Sequence, residues 1–221
     1  MENSRLRKDI LRISYNAGAC HLGSALSCID ILTDIYSEMG EQDRFIFSKA
    51  SGAAALYVLL VEEGIIPENK VTYCLKNYPL PSKEVPGVIH GVGSLGHGLP
   101  VAVGLALSDR KRKVYVLMSD SEIQCGTTWE SILFARQHKL KNLKIYVDRN
   151  RLQALGKTEE ILGITKALQL LRQLFPIKVI RTIKGMGVPF MEGKVEWHYW
   201  NLTPKLLQQA LDQIDYEENI L

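Results

Sequence analysis

The first third of the chain carries apolar residues at helical spacing. Four of them recur with this period near the N-terminus and predict an amphipathic helix: Leu6, Ile10, Leu11 and Ile13. A second stretch, Ala53–Leu60, also has helical character. Between them, Ser27-x-x-Asp30 has the form of a capping box and predicts that another helix begins near Ser27. Phe45–Phe47 predicts one short strand.

The rest of the chain alternates strands with helices. Val114–Met118 and Leu143–Val147 are continuous apolar runs of strand length, and Ile177–Ile183 supplies a third strand. Three stretches have helical character: Leu99–Leu107, Thr128–His138 and Pro204–Ile214. Continuous apolar strands indicate burial on both sides, so the pattern predicts an α/β fold, a parallel sheet with helices on both faces. No repeat or linker interrupts residues 1–221, which predicts a single domain.

Composition excludes several classes of protein. The 221 residues are 46% hydrophobic and 23% charged, which excludes a disordered chain. A net charge of +3 without a basic stripe of interleaved aromatic residues argues against a nucleic-acid partner. No apolar run reaches the roughly 18 residues that a membrane span needs, and the mixed charges of the N-terminus predict a cytoplasmic protein. The four cysteines lack metal-binding or C-x-x-C spacing, which predicts reduced thiols.

Polar clusters follow two of the predicted strands. Ser119-Asp120-Ser121-Glu122 comes after the first apolar run, and Asp148-Arg149-Asn150 follows the second. Ligands bind at the carboxyl ends of strands in parallel sheets, so these residues are candidates for a site. Asp120 and Asn150 offer hard oxygen ligands that suit Mg²⁺ completed by phosphate oxygens and water. The alternative is that both side chains only satisfy the backbone of turns.

A glycine-rich turn offers a rival interpretation. Gly91-x-Gly93-x-x-Gly96 matches the dinucleotide fingerprint, and Asp120 lies 24 residues after Gly96. That fingerprint requires a strand immediately before the glycines, where Pro86 and Gly87 stand as breakers. The turn still precedes an apolar helix, whose backbone N–H groups suit an anion or a flat ring.

The histidines do not pair as zinc ligands. No H-x-x-x-H or H-E-x-x-H spacing occurs, and His138 belongs to a basic helix end where a solvated side chain is expected. His21, His90 and His97 flank glycine-rich turns and are better candidates for a functional site, although a histidine beside glycine is often structural.

Several segments together resemble one known family. They are Asp43–Lys49, Gly93–Gly98, Asp120 and Asn150 with Trp129-Glu130 between them, and Thr182–Val188. In this order, over nearly the whole chain, they resemble the N-terminal, diphosphate-binding domain of transketolases. The resemblance implies a thiamine diphosphate-binding fold and transfer of a two-carbon ketol unit from a ketose to an aldehyde acceptor.

The resemblance also implies roles for individual residues. Asp120, Asn150 and the carbonyl of Leu152 would hold Mg²⁺. The cofactor would be bound by residues from five parts of the chain: Ser94, Leu95, Gly96, Ser119, Asp120, Ser121, Glu122, Asn150, Lys184 and His198. The resemblance implies that His21 faces substrate and that Glu130 links paired sites, and His90 and His97 are further catalytic candidates from their places beside glycine-rich turns. Thr127-x-x-Glu130 is equally a capping box, so both interpretations of Glu130 stay open.

A partner polypeptide is a further implication. The family's catalytic glutamate belongs to a second domain that this sequence lacks. The resemblance therefore implies a second polypeptide that carries the pyrimidine-binding and C-terminal domains, in an assembly such as a heterotetramer, with sugars as substrates. An uncovered partner face predicts a sizeable exposed apolar surface on this chain.

The sequence departs from the family pattern at functional positions. Ser119 and Ser121 replace two glycines, Ser51 and Tyr78 stand where histidines are expected, and Cys125 replaces a glutamate. The segment between Gly156 and Pro176 is also shorter than usual. Three interpretations therefore remain open: an enzyme with a specialised sugar substrate, in which His90, His97 and Tyr78 repopulate the cleft; a structural or regulatory subunit that has lost catalysis; and a nucleotide-dependent oxidoreductase.

Overall fold

The computed structural model describes residues 3–220, apart from the side chains of residues 217–220. Residues 1, 2 and 221 of the predicted domain lie outside that part. The described chain forms a sheet of four parallel strands in the order of the sequence: β1 (Arg44–Phe47), β2 (Val114–Ser119), β3 (Leu143–Arg149) and β4 (Ile177–Arg181). The parallel sheet is therefore confirmed, with β4 ending two residues earlier than predicted.

Helices cover both faces of this sheet. The described helices are α1 (Ser4–Ala17), α2 (Leu22–Glu38), α3 (Ala53–Glu62), α4 (Glu68–Asn77), α5 (Gly98–Ser108), α6 (Gly126–Gln137), α7 (Thr158–Ile161), α8 (Thr165–Leu174) and α9 (Pro204–Ile220). One core cluster joins α1–α4 and α9 to one sheet face through Tyr115, Leu117 and Tyr146. A second cluster joins α5, α6 and α8 to the other face through Val116 and Val147. The predicted arrangement of layers is confirmed.

Two predicted helix starts are wrong. Helix α2 begins at Leu22, so Ser27 lies inside the helix, and its hydroxyl contacts Asp148 of β3 instead of capping a helix end. Helix α6 begins at Gly126, so Thr127 cannot cap it, and the hydroxyl of Thr127 has no hydrogen-bond partner among the described residues. In both places burial against neighbouring elements decides the boundary, and the local motif does not.

The remaining sequence predictions concern the surface and the cysteines. All four cysteines are free thiols, as predicted. His138 lies at the surface, also as predicted. Among the described residues, no helix is both long enough and apolar enough to cross a membrane.

Candidate functional site

Loops at the carboxyl ends of the strands enclose a cavity of about 400 Å³. The loops that follow β1, β2 and β3 form most of its wall, and the start of α2 closes one side. Nine residues singled out in the sequence line it: His21, Leu95, Ser119, Asp120, Ser121, Asn150, Leu152, Lys184 and His198. The fold therefore brings together residues that lie up to 177 positions apart in the sequence.

Asp120 begins a short 3-10 turn directly after β2, and its side chain is buried. One carboxylate oxygen accepts a 2.9 Å hydrogen bond from the backbone N–H of Arg151. The Arg151 backbone is left-handed, with φ of 66°, and this turn brings the chain after β3 back towards β2. Burial raises the pKa of Asp120 to about 6, although the Arg151 N–H and Lys49 oppose the shift. A cation bound next to this carboxylate would stabilise its charged form.

Asn150 is held by a network that the sequence did not reveal. Its amide nitrogen donates to the hydroxyl of Ser27 at 3.2 Å, and its amide oxygen accepts from the N–H of Leu152 at 3.0 Å. The Ser27 hydroxyl donates to Asp148 at 2.6 Å. Asp148 is fully buried and also accepts from the hydroxyl of Thr182. The amide of Asn150 is thereby fixed in one orientation, with its oxygen at the end of β3.

Two buried lysines contribute positive charge to the cavity. The Lys49 ammonium lies 3.4 Å from Asp148. Burial lowers the pKa of Lys49, but Asp148, Cys28 and Asp120 together more than offset this, so the net shift is upward. Lys184 donates to the carbonyl of Gln153 at 3.0 Å, and burial together with Lys49 lowers its pKa to about 8. Both ammonium groups are charged at neutral pH and suit an anionic ligand.

The side chain of Lys184 needs the glycine at position 23. A Cβ at Gly23 would lie 2.9 Å from Lys184 Cγ, so a larger residue would displace the lysine stem. The N–H of Gly185 also donates to the carbonyl of Gly23 at 2.9 Å, which ties the 184 loop to the start of α2. Close backbone packing thus positions the ammonium group in the cavity.

Two histidines stand side by side in the cavity wall. The rings of His21 and His198 are 4.7 Å apart in an edge-to-face arrangement. Burial lowers the pKa of His198 to about 3, with further contributions from Lys184 and His21, and burial also lowers the pKa of His21. Both rings are therefore neutral at pH 7. A neutral imidazole both donates and accepts hydrogen bonds, which suits sugar hydroxyl groups.

Glu122 does not line the cavity but supports its glycine-rich wall. The carboxylate is completely buried and accepts hydrogen bonds from the N–H of Gly96 at 3.2 Å, from the N–H of Ser119 at 2.7 Å and from the hydroxyl of Ser48. Burial raises the pKa of Glu122, which those bonds oppose. Gly96 has a φ of 78°, and a Cβ there would lie 2.5 Å from the hydroxyl of Thr127. This loop therefore requires glycine at position 96 and the acceptor oxygens of Glu122.

The serines that replace two family glycines fit the local backbone. Neither Ser119 nor Ser121 has a positive φ, so this backbone does not need glycine. Their hydroxyl groups are 2.8 Å apart, and that of Ser119 also lies 3.0 Å from Glu122. The added hydroxyls are therefore part of the hydrogen-bond network at the strand end.

Other predicted residues lie outside the cavity. Ser94 is exposed in the loop next to the lining residue Leu95. His90 is half-buried, and His97 is exposed with its ring Nδ1 3.0 Å from the carbonyl of Leu95. Tyr78 packs against the core cluster of α1–α4, so the structure does not place His90, His97 or Tyr78 in the cleft. Ser51, which stands where the family pattern has a histidine, does line the cavity.

Apolar residues are exposed around the mouth of the cavity and on α6. Leu95 and Leu155 both line the cavity and are 50% and 85% exposed. Leu133 and Phe134 are exposed on α6, the helix that also carries the exposed Glu130. Contiguous exposed apolar patches are typical of protein–protein interfaces, so these residues are candidates for contact with another protein.

The dinucleotide interpretation is wrong. Residues 88–97 form loop and turn, and no strand precedes Gly91 in this described segment. The fingerprint depends on a strand that leads directly into the glycines. The glycine-rich loop lies instead against the strand end through the bond from Gly96 to Glu122.

Comparisons with known proteins agree with this geometry. The family model described as thiamine pyrophosphate enzyme, C-terminal TPP binding domain, matches residues 71–216. The chain is 36% identical to an apulose-4-phosphate transketolase subunit of Actinobacillus succinogenes, over 96% of this chain and 94% of that protein. It is 27% identical to the 6-deoxy-6-sulfo-D-fructose transketolase subunit SqwG of a Clostridium species, over 96% and 94%. Among solved structures, transketolase of Campylobacter jejuni has the same fold, with a TM-score of 0.81 and 22% identity over 97% of this chain and 42% of its own.

Proposed function

The chain belongs to the transketolase family of thiamine pyrophosphate enzymes, and on this premise we propose that it is the diphosphate-binding subunit of a two-polypeptide transferase. The reaction is transfer of a two-carbon ketol unit from a ketose to an aldehyde, with thiamine diphosphate and Mg²⁺ as cofactors. One observation carries the proposal: Asp120 and Asn150 end adjacent strands in a cavity that also holds two buried lysines.

The residues present fit a magnesium ion. Asp120 supplies one carboxylate and Asn150 one amide oxygen, and Leu152 lines the same cavity with its backbone carbonyl available as a third donor. These are hard oxygen ligands, and Mg²⁺ is commonly held by one or two carboxylates together with phosphate oxygens and water. The bond from Asn150 to Ser27 engages the amide nitrogen, and the amide oxygen, which accepts the N–H of Leu152 with one lone pair, would bind the ion with the other.

The residues present also fit a diphosphate. Lys49 and Lys184 place two positive charges beside the expected metal ligands, and His198 contacts the ammonium of Lys184 at 3.3 Å. Charged groups in a buried, partly closed site interact more strongly with a phosphate than exposed ones do. We therefore assign Lys184 and His198 to the diphosphate and Lys49 to the charge balance of Asp148 and Asp120.

Bound thiamine diphosphate supplies the electron sink that cleavage next to a ketose carbonyl requires. This chain's own residues bind and orient the reactants. The neutral imidazole of His21 offers hydrogen bonds to a sugar hydroxyl, and Leu95 with Leu155 limits the access of water at the mouth of the cavity. Gly96 and Glu122 keep the glycine-rich wall in place while ligands enter.

The second polypeptide would supply the pyrimidine-binding and C-terminal domains, in an assembly such as a heterotetramer. Support comes from the exposed apolar residues at the cavity mouth and on α6, and from relatives that are named as subunits and are matched over 94% of their own length. Glu130, exposed beside Leu133 and Phe134, would lie in this interface.

The substrate would be a specialised sugar. The names of the two relatives reported above specify two different sugars, apulose-4-phosphate and 6-deoxy-6-sulfo-D-fructose. Ser51 in the cavity wall offers a hydroxyl where the family pattern has an imidazole. A changed set of hydrogen-bonding groups at this wall would change which sugar is accepted.

Calorimetry tests the cofactor assignment. The full chain, co-expressed with its second polypeptide, is titrated with thiamine diphosphate and Mg²⁺, and Asp120→Ala is compared with Asp34→Ala on the exposed face of α2. We expect Asp34→Ala to bind as the wild type does and Asp120→Ala to lose at least 90% of the binding heat. Equal heats for all three proteins would overturn the proposal.

Product analysis separates an active enzyme from a subunit that has lost catalysis. Several ketoses are incubated with an aldehyde acceptor and the cofactor-loaded complex, and the products are separated by chromatography. Formation of a ketose two carbons longer than the acceptor supports the transferase. Cofactor binding without any product from the tested sugars supports the structural or regulatory subunit.

A further inference from the structure

A groove of about 780 Å³ lies at the opposite end of the sheet from the cavity, near the amino ends of β3 and β4. It exists because β4 starts late: the pairing of the two strands begins at Ile145 with Ile177, so Leu143 and Lys144 pair only with β2. The connection from α8 to β4 is only two residues, Phe175 and Pro176, and adds nothing that covers this edge.

Positive charge is concentrated in this groove. Six cationic residues from α6, α8, β3, β4 and the loop after α6 line it: Arg136, Lys139, Lys141, Lys144, Arg172 and Lys178. Glu38 is the single carboxylate among the lining residues, and it pairs with Lys178 at 3.6 Å. The whole chain has a net charge of only +3, so six cations against one acid is a strong local excess. The groove is therefore complementary to a ligand with several negative charges.

The aromatic rings in the groove are not free to stack on bases. Tyr146 is 4% exposed, its ring is covered by the ammonium of Lys178 at 4.9 Å, and its hydroxyl donates to Glu38. Phe175 is also buried. Binding of single-stranded nucleic acid depends on open aromatic platforms beside the basic groove, so this feature disfavours a nucleic acid.

The edge of the sheet offers a different kind of contact. In the described part of the chain, β4 pairs with β3 on one side and with no strand on the other. The outer side of an edge strand presents backbone N–H and C=O groups that an extended peptide can pair with. Ile177 and Lys178, the first two residues of β4, line the groove, so this strand begins beside the cationic residues.

We propose that the groove docks an acidic, extended segment of a partner polypeptide, which pairs with the edge of β4 and places its carboxylates against the six cations. The proposal does not depend on the cofactor, because the groove and the cavity lie at opposite ends of the strands.

Fluorescence anisotropy with a defined probe tests this docking site. The probe is a fluorescein-labelled ten-residue peptide of alternating Glu and Val, titrated with the full chain. Charge is reversed in the groove with Lys139→Glu, Lys141→Glu and Lys144→Glu together. The matched control reverses three exposed lysines elsewhere: Lys70→Glu, Lys83→Glu and Lys166→Glu. We expect the groove variant to weaken binding at least tenfold and the control variant to change it by less than threefold.

Two additional binding measurements use a glutamine variant of the groove and a proline-containing peptide. The groove lysines replaced by glutamine should weaken binding about threefold, which covers the case in which the glutamate variant fails to fold. A peptide with Pro in place of each Val cannot pair with a strand edge and should bind at least fivefold more weakly. The proposal is overturned if the groove and control variants bind the peptide equally, or if a ten-nucleotide oligothymidine binds the groove as tightly as the peptide.

Discussion

The buried charge of Lys184 is expected to lower the free energy of unfolding of the protein. Its side chain is 1% exposed, and burial with the neighbouring Lys49 lowers its pKa from 10.5 to about 8. A shift of this size corresponds to about 3 kcal/mol of unfavourable free energy for the charged form in the folded state. Lys184→Met removes the charge and keeps a flexible stem of similar length, but loses the bond to the carbonyl of Gln153, which costs about 1 kcal/mol. The variant should therefore be about 2 kcal/mol more stable than the wild type at pH 7.

The pH dependence follows from the direction of the shift. Below about pH 8, Lys184 is protonated in both the folded and unfolded states, so the unfavourable free energy is fully present. Between pH 8 and 10.5 the folded state releases the proton first, and the stability of the wild type rises relative to that of the variant. The advantage of Lys184→Met should thus shrink steadily over this range.

Urea-induced unfolding followed by circular dichroism measures both quantities. Unfolding curves at pH 7, 8, 9 and 10 give the free energy of unfolding of the wild type and of Lys184→Met. Lys166→Met, on the exposed surface of α8, is the control and should match the wild type at each pH. The reasoning is refuted if Lys184→Met is less stable than the wild type at pH 7, or if its advantage is the same at pH 7 and pH 10.

Three further predictions address the network around the cavity. Gly96→Ala should lower the free energy of unfolding by about 1–3 kcal/mol, because φ is positive at this position and the new Cβ would lie 2.5 Å from the hydroxyl of Thr127. The control Gly104→Ala, at a position of α5 with open space around it, should raise the free energy of unfolding by up to about 1 kcal/mol. Equal effects of the two variants in thermal unfolding would contradict this prediction. Ser27→Ala should weaken Mg²⁺ binding about tenfold in calorimetry by freeing the amide of Asn150, and an unchanged affinity would exclude the positioning role. Glu122→Gln should destabilise the chain by about 2 kcal/mol in urea unfolding, since an amide cannot replace both acceptor oxygens; wild-type stability would show that two acceptor oxygens are not needed at this position.

The strands were predictable because burial on both sheet faces leaves a continuous apolar signal. Val114–Met118 and Leu143–Val147 correspond to β2 and β3 almost residue for residue. The expectation that polar residues at these strand ends share one site also followed from the parallel arrangement, and Asp120 and Asn150 do line one cavity. Where the strands of a parallel sheet can be predicted from their apolar residues, the position of the site at their carboxyl ends can be predicted as well.

The helix starts and the buried charges were harder to predict. Helix α2 is buried on most sides, so it lacks the one-sided pattern that would have marked its start at Leu22. The pairing of Lys49 with Asp148 was missed because it joins the loop after β1 to β3, a contact between residues 99 positions apart. One signal was available: Asp148 continues an apolar run, and a carboxylate inside a doubly covered strand must be paired or functional.

Burial at this site couples ligand binding to stability. Asp120 and Glu122 have raised pKa values and Lys184 a lowered one, each because burial disfavours the charged form. A cation beside Asp120 and an anion beside Lys184 would relieve two of these costs together, because each ligand charge is opposite to the side chain that it meets. Ligands that bind only the folded state stabilise it in proportion to the logarithm of their concentration. The rise in the unfolding transition temperature caused by Mg²⁺ and thiamine diphosphate together should therefore exceed the sum of the rises that each ligand causes alone. Strictly additive rises would show that the two charged halves of the cavity act independently.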